Sequence, residues 1–269
     1  MKHTTDIDSS KIQVKLEKTA LDKIVSTRIR CARNLKMFPL NTVGTKQSRI
    51  DVLELIKKVV AQLPVDLQGD LMPLEGMSEE KRKELIDANY LFRGGDKMQA
   101  ASGYHAFWPS GRGIFLSHDR KFIMWINEGD HLRIISMENG GNIQSVFDRF
   151  SRAVTIMEGI IKKITGQDQA FLHDPVIGMI ACCPSNLGTC MRGSVHILLP
   201  KLIKKIGFKE IDKIGRKMGC QARGSTGEHS EVIDRIDISN WRRLGFPEYK
   251  LVEDMMRCAN ELAKMEDEA

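Results

Sequence analysis

The sequence predicts an α+β fold: a large, mostly antiparallel β-sheet flanked by helices. Three observations predict it. Short apolar or alternating runs cluster in the middle of the chain, amphipathic helical stripes interrupt them irregularly, and glycine- or proline-bearing turns bound them. Internal repeats, low-complexity tracts and linker-like stretches are missing from the 269 residues.

Residues 1–20 are polar and aperiodic and read as a loosely held arm. In IVSTRIRC (24–31), Val25, Thr27, Ile29 and Cys31 alternate with Ser26, Arg28 and Arg30, which predicts a half-buried strand with two arginines on its outer face. Residues 48–63 place Val52, Leu53, Ile56, Val59, Val60 and Leu63 at helical spacing. Ser78, followed by Glu79 and Glu80, is a good N-cap for a short helix ending near Ala88.

After a Pro-Ser-Gly turn come two strands, KFIMWI (121–126) and LRIISM (132–137). Gly140-Gly141 then breaks the chain before a long helix with Ile143, Val146, Phe147, Phe150, Val154, Met157, Ile161 and Ile164 on one stripe. Residues 176–183 and 194–199 are strand candidates, and 201–218 read as a helix with Ile203, Ile206, Ile214 and Met218 inward. Residues 222–231 read as a polar loop, and 247–265 as the last helix.

Composition narrows the function classes. Hydrophobic residues make up 42% and charged residues 28%, enough for a sizeable core with an ordinary charge balance. No apolar run reaches the roughly 18 residues of a membrane span, and the N-terminus lacks the apolar core of a secretory signal. The expectation is a cytoplasmic protein with no membrane partner. The net charge of +6 favours an anionic ligand. The basic residues are scattered and only 6% of residues are aromatic, which argues against nucleic acid as a partner. The six cysteines form no CxxC pair and have no histidine at zinc spacing, so they read as reduced thiols, with no protein-held metal.

Arg28 and Arg30 share the polar face of a strand, Arg133 opens a strand, Arg192 closes the loop after CPSNLGTCM, and Arg223 opens the loop RGSTGEH. Guanidinium groups stay charged and bind phosphate oxygens bidentately, and a transferring phosphoryl group needs several of them. GxxxxGK[ST], a strand-linked GxGxxG, HRD and DFG are all absent, which excludes the P-loop, dinucleotide-binding and protein-kinase designs. Cys183 precedes Pro184 in the loop CPSNLGTCMRG, with Ser185 two residues on and Arg192 nearby. That setting suits a reactive thiol, and an inert loop cysteine is the alternative.

The block CPSNLGTCMRGSVHILLPKL closely resembles the signature of the phosphagen (guanidino) kinases, which include arginine and creatine kinases. IVSTRIRCARNL, FWPSGRGIF, FIMWINEGDHLRIISMENGGN, RGSTGEHSE and DISNWRRLGFPEYKLV follow in the family's order and spacing, and the resemblance runs from about His3 to the C-terminus. It implies a glutamine-synthetase-like catalytic domain over 21–269, preceded by the arm 1–20. It also implies reversible transfer of the ATP γ-phosphoryl group to a guanidino nitrogen of arginine, creatine or a similar acceptor, with Mg²⁺ carried on the phosphates of ATP or ADP. The family's small N-terminal helical domain is expected to be absent.

Residue by residue, the resemblance assigns Arg28, Arg30, Arg133, Arg192 and Arg223 to the nucleotide phosphates, with Ser26 in the same strand. Gly193, Ser194, Val195 and His196 fall to the adenine, and Asp237 to the ribose. Cys183 falls beside the acceptor, and Glu228 orients it. Gly224, Ser225, Thr226 and Gly227 fall to a loop that closes over the site. Two positions depart from the family pattern. Gly129, in Asn127-Glu128-Gly129-Asp130-His131, stands where the family has a catalytic glutamate, and Leu116 stands where it has a nucleotide-binding histidine, with His118 two residues on. Glu128 does not replace the missing carboxylate, because a one-residue shift in extended chain reverses the side-chain direction. The alternative reading is therefore a nucleotide-binding paralogue impaired in turnover.

Overall fold

The computed structural model describes residues 5–92, 97–224 and 234–269, without the side chains of residues 98 and 99. Ten strands are described: β1 (Ile24–Arg33), β2 (Gly69–Pro73), β3 (Gly113–Ser117), β4 (Phe122–Ile126), β5 (Leu132–Asn139), β6 (His173–Asp174), β7 (Gly178–Met179), β8 (Met191–Leu198), β9 (Cys220–Gly224) and β10 (Arg235–Asn240). The described helices are α1 (Lys18–Lys23), α2 (Lys46–Val60), α3 (Glu79–Asp87), α4 (Lys97–Ala101), α5 (Ile143–Thr165), α6 (Pro200–Lys217) and α7 (Glu248–Asp267). Eight strands form one sheet in the order β2-β3-β4-β5-β1-β8-β10-β9, and β6 and β7 make a separate hairpin. The pairs β2·β3, β3·β4, β8·β10 and β9·β10 are antiparallel, as the sequence predicts. Among the described residues no helix is long and apolar enough to cross a membrane.

The chain divides into two compact units, and β1, β5 and α5 each contribute to both. One unit comprises Met1–Arg30, Ser136–Ser151 and Met191–Ala269. In it α7 lies on β8, β9 and β10 and touches α1 and α6. Residues 5–17, ahead of α1, are not loose. Acidic and amide side chains of α7 clasp them: Glu248 accepts the Asp6 N–H at 2.8 Å, Glu253 the Gln13 N–H at 2.9 Å and Asn260 the Glu17 N–H at 2.9 Å. Lys23 closes the series on Asp267 at 2.6 Å. Against the cost of burial, the Gln13 N–H and the cations of Arg257 and Lys250 hold the Glu253 carboxyl below its ordinary range. A polar, aperiodic segment looks loose in sequence because its partners here lie about 240 residues away.

Gly207, at φ 77°, interrupts α6. The break shifts the helical phase, so Leu202, Ile211 and Gly215 are buried in place of the expected Ile203, Ile206, Ile214 and Met218.

The other unit comprises Cys31–Ile135 and Arg152–Cys190. Its strand β4 is buried along its whole length, flanked by β3 and β5. Ser78 caps α3 by accepting the Lys81 N–H, as its sequence position predicts. The strand expected over 176–183 reduces to the two residues of β7. The Asp174 carboxylate accepts the N–H groups of Val176 and Ile177, which folds that stretch into a turn, and Gly178 follows at φ 80°. The long amphipathic stripe of α5 is buried from Ile143 to Ile161, while Ile164 is half-exposed.

Candidate active site

The first group of candidate residues lies on strands β1, β8, β9 and β10. Ser26, Arg28 and Arg30 share one face of β1 and are half-buried, while Thr27, Ile29 and Cys31 face the core. Val25 departs from the expected pattern and is exposed at the strand's start. Arg192 does not close a loop. It is the second residue of β8, on the same face as Ser194 and His196. Gly193 and Val195 point the opposite way into the core, where a Cβ on Gly193 would meet Met255 at 3.5 Å. Any contact they make with a ligand is through backbone atoms.

Register ties these strands together. Asp237 pairs with His196 on one side and with Arg223 on the other, so the three side chains share a face. Arg223 is in β9, so residues 222–224 of the expected loop are strand. Ser225, Thr226, Gly227 and Glu228 lie outside the described residues.

On this wall Arg192 Nη2 donates to Asp237 Oδ2 at 2.7 Å, and Ser26 Oγ lies 3.2 Å from His196 Nδ1. Arg192 Nε, Asp237 Oδ1 and Ser239 Oγ are buried without a hydrogen-bond partner among the described residues. Such orphans cost about 1–3 kcal/mol each. A nucleotide fits them: phosphate oxygens accept from guanidinium N–H groups, and a ribose hydroxyl donates to a carboxylate.

The second group belongs to the β4–β5 turn and its surroundings. Asn127 N–H donates to the His131 carbonyl at 2.8 Å, which places Gly129 at the tip of a tight turn. Glu128 Oε2 accepts both the Gly129 N–H at 2.8 Å and Arg133 Nη2 at 2.9 Å. Arg133 also lies over the Trp125 ring, 5.8 Å from its centroid. Burial works against the Arg133 charge, but Glu128 and Asp130 outweigh it and raise its pKa. Asp130 Oδ1 accepts from Asn34 Nδ2 and from the Cys182 N–H, both at 2.7 Å. Cys183 is half-buried ahead of the turn Pro184–Asn186, with Sγ 3.1 Å from Ser185 Oγ. Its neighbour Cys182 differs: burial, together with Asp130, pushes that thiol up to about 12 and keeps it protonated.

Two buried arginines, which the sequence does not single out, hold the segment before β3. Arg49 donates to the Asn41 carbonyl at 2.6 Å, and Arg112 to the Tyr104 and Ala106 carbonyls at 2.6 and 3.1 Å. Both are fully buried, and burial followed by the Arg49 charge lowers the Arg112 pKa to about 10. Arg112→Leu orphans two carbonyls. The expected loss is about 3 kcal/mol of stability, read as a lower denaturant midpoint.

Two histidines stay neutral in the fold. His131 Nδ1 accepts the Leu35 N–H at 3.0 Å, so the proton sits on Nε2, 2.9 Å from the Pro39 carbonyl. Burial lowers the pKa of His131 despite the Pro39 and Asp130 contacts. Burial also lowers that of His196, where Arg235, Arg192 and Arg28 add to the effect and Asp237 opposes it. Lowered folded-state values mean that the unfolded chain binds more protons just below pH 6.5, so stability falls as pH drops through that value. Denaturant midpoints measured between pH 7.5 and 5.5 should decline, and a His131→Gln variant should lose part of the slope.

Leu116 is half-buried in β3, while His118 is exposed in the turn that follows. His118 therefore does not take a strand position in place of a histidine at 116.

A family model described as ATP:guanido phosphotransferase, C-terminal catalytic domain, matches residues 51–269. The chain belongs to this family. It is 41% identical over 247 residues to an arginine kinase of Limulus polyphemus, covering 91% of this chain and 66% of that protein. A lombricine kinase crystal structure superposes with a TM-score of 0.91 at 33% identity, covering 99% of this chain and 71% of that one. A duplicated taurocyamine kinase from Schistosoma mansoni, with bound transition state analog components, gives a TM-score of 0.88 at 34% identity, covering 99% of this chain and 36% of that one. The chain thus spans about two thirds of the length of the arginine kinase it matches. Within the family, the sequence motifs locate the strand arginines and Cys183. The block FWPSGRGIF contains Arg112 without marking it as a buried anchor, and Tyr104 lies just ahead of that block.

Proposed function

We propose that this chain transfers the γ-phosphoryl group of MgATP reversibly to a guanidino nitrogen. The observation that supports it most is the β1–β8–β10–β9 wall, where Arg28, Arg192 and Arg223 stand on rigid strands and buried polar atoms of Arg192 and Asp237 await a ligand. In this reading Arg28, Arg30, Arg133, Arg192 and Arg223 hold the phosphates. Asp237 and His196 with Ser194 line the ribose and base, and the backbone of Gly193 and Val195 supports them.

Bound MgATP supplies the electrophilic phosphorus, with the metal on its phosphates. The chain's own residues position and neutralise: guanidinium N–H groups stabilise charge on the equatorial oxygens as the bond to the leaving oxygen loosens. Cys183 stands beside the acceptor, Glu228 orients it, and Gly224 to Gly227 cover the site. Residues 21–269 form the catalytic body. Six cysteines outside any disulfide accord with a reducing, cytoplasmic setting. Gly129 bears on the rate of this chemistry, not on its class.

The test is a coupled assay of ADP formation from MgATP with arginine, creatine, taurocyamine, lombricine and arginine-containing peptides. Transfer to at least one acceptor is the expected result. MgADP binding by calorimetry with no transfer to any of them would reject the reading.

A further inference from the structure

The corner around Gly129 is filled by an aromatic ring. A Cβ on Gly129 would lie 3.4 and 3.5 Å from Cε2 and Cδ2 of Tyr104. Tyr104 is half-buried, and its backbone is fixed by Arg112, whose Nη2 donates to its carbonyl at 2.6 Å. Burial raises the pKa of its hydroxyl, and the Asp130 and Glu128 carboxylates add to the effect, so the phenol stays neutral. Cys183, which lies within electrostatic range of this hydroxyl, stands beside the acceptor in the proposed reaction, and Gly129 holds the place of the family's catalytic glutamate.

One oxygen of each carboxylate in this corner is already engaged. Glu128 Oε2 carries the Gly129 N–H and Arg133, and Asp130 Oδ1 carries Asn34 and the Cys182 N–H. A planar cation entering beside Gly129 meets the half-buried Tyr104 ring. A guanidinium stacks well on an aromatic face and is less strongly hydrated than an ammonium.

We propose that Tyr104 is a specificity-determining residue of the acceptor site, stacking on the acceptor's guanidinium beside Gly129. The inference rests on the guanidino reading of the site. It predicts preference for acceptors with a flat, charged guanidinium over primary amines of equal length.

The experiment titrates arginine, taurocyamine and lysine onto the MgADP-loaded full chain by calorimetry, for the wild type and for Tyr104→Phe and Tyr104→Leu. Leucine keeps apolar bulk and removes the π face, so loss of folding does not mimic the effect, and MgADP titration checks the nucleotide half. Tyr104→Phe should bind the best guanidino ligand within about twofold of the wild type. Tyr104→Leu should bind it roughly 5- to 30-fold more weakly at unchanged MgADP affinity. Equal guanidino affinity in wild type and Tyr104→Leu overturns the inference and leaves the guanidino reading standing. Wild-type chain that binds MgADP but no guanidino ligand overturns both.

Discussion

Gly129→Glu should raise kcat by about 100-fold, the lower end of what a positioned acid–base group contributes. The backbone allows it. Gly129 is not in the left-handed region that favours glycine, and a Cβ there makes contacts of 3.4–3.5 Å with one flexible ring edge. The new carboxylate would stand beside Cys183 and Tyr104, in the surroundings of the acceptor. Crowding by Tyr104 is the reason for expecting the lower end of the range. Initial rates at saturating MgATP and the best acceptor, with MgADP affinity as a control, decide it. An unchanged kcat at unchanged nucleotide affinity would show that this corner does not host the proton-handling step.

Arg192→Ala should have the opposite and larger effect, lowering kcat/KM by roughly 10³-fold or more, as loss of a phosphate-clamping arginine does in phosphoryl transfer. It also leaves the Asp237 carboxylate buried without its cation. Removing one partner of a buried pair costs about 3–5 kcal/mol. The side chains of Arg192 and Asp237 keep 13% and 12% exposure, so the lower end applies. The two losses separate with a second variant. Arg192→Ala/Asp237→Asn should regain most of the stability while remaining inactive. Denaturant melts read the first quantity and coupled kinetics the second. Arg192→Lys should fall between, because an ammonium keeps the charge but loses the planar fork.

Much of the fold was legible because local periodicity and burial agree. The α5 stripe, the Ser78 cap and the wholly apolar β4 each carry their own signal. What failed did so where distant or non-repeating forces decide. The α6 core face shifted because Gly207 breaks the helical phase, and 176–183 turned because one carboxylate, Asp174, captured two N–H groups. Arg28 and Arg30 were legible as strand residues, but Arg192 and Arg223 were not, since β8 and β9 extend further than their apolar runs. Tyr104 was invisible: its nearness to Gly129 comes from tertiary packing across 25 positions of sequence, held by the buried Arg112.

The clasp between α7 and the residues before α1 has a consequence for biosynthesis. One unit is made of three separated stretches, and its first is held by side chains of the last helix. A ribosome delivers every part of the other unit, through Cys190, before it makes β8, β9, β10 or α7. The unit bearing Asp130 and Cys183 can therefore condense first, while Ser26, Arg28 and the arm wait for their partners. Because units fold as they emerge, the nascent chain gains the corner around Gly129 before the wall of β8, β9 and β10.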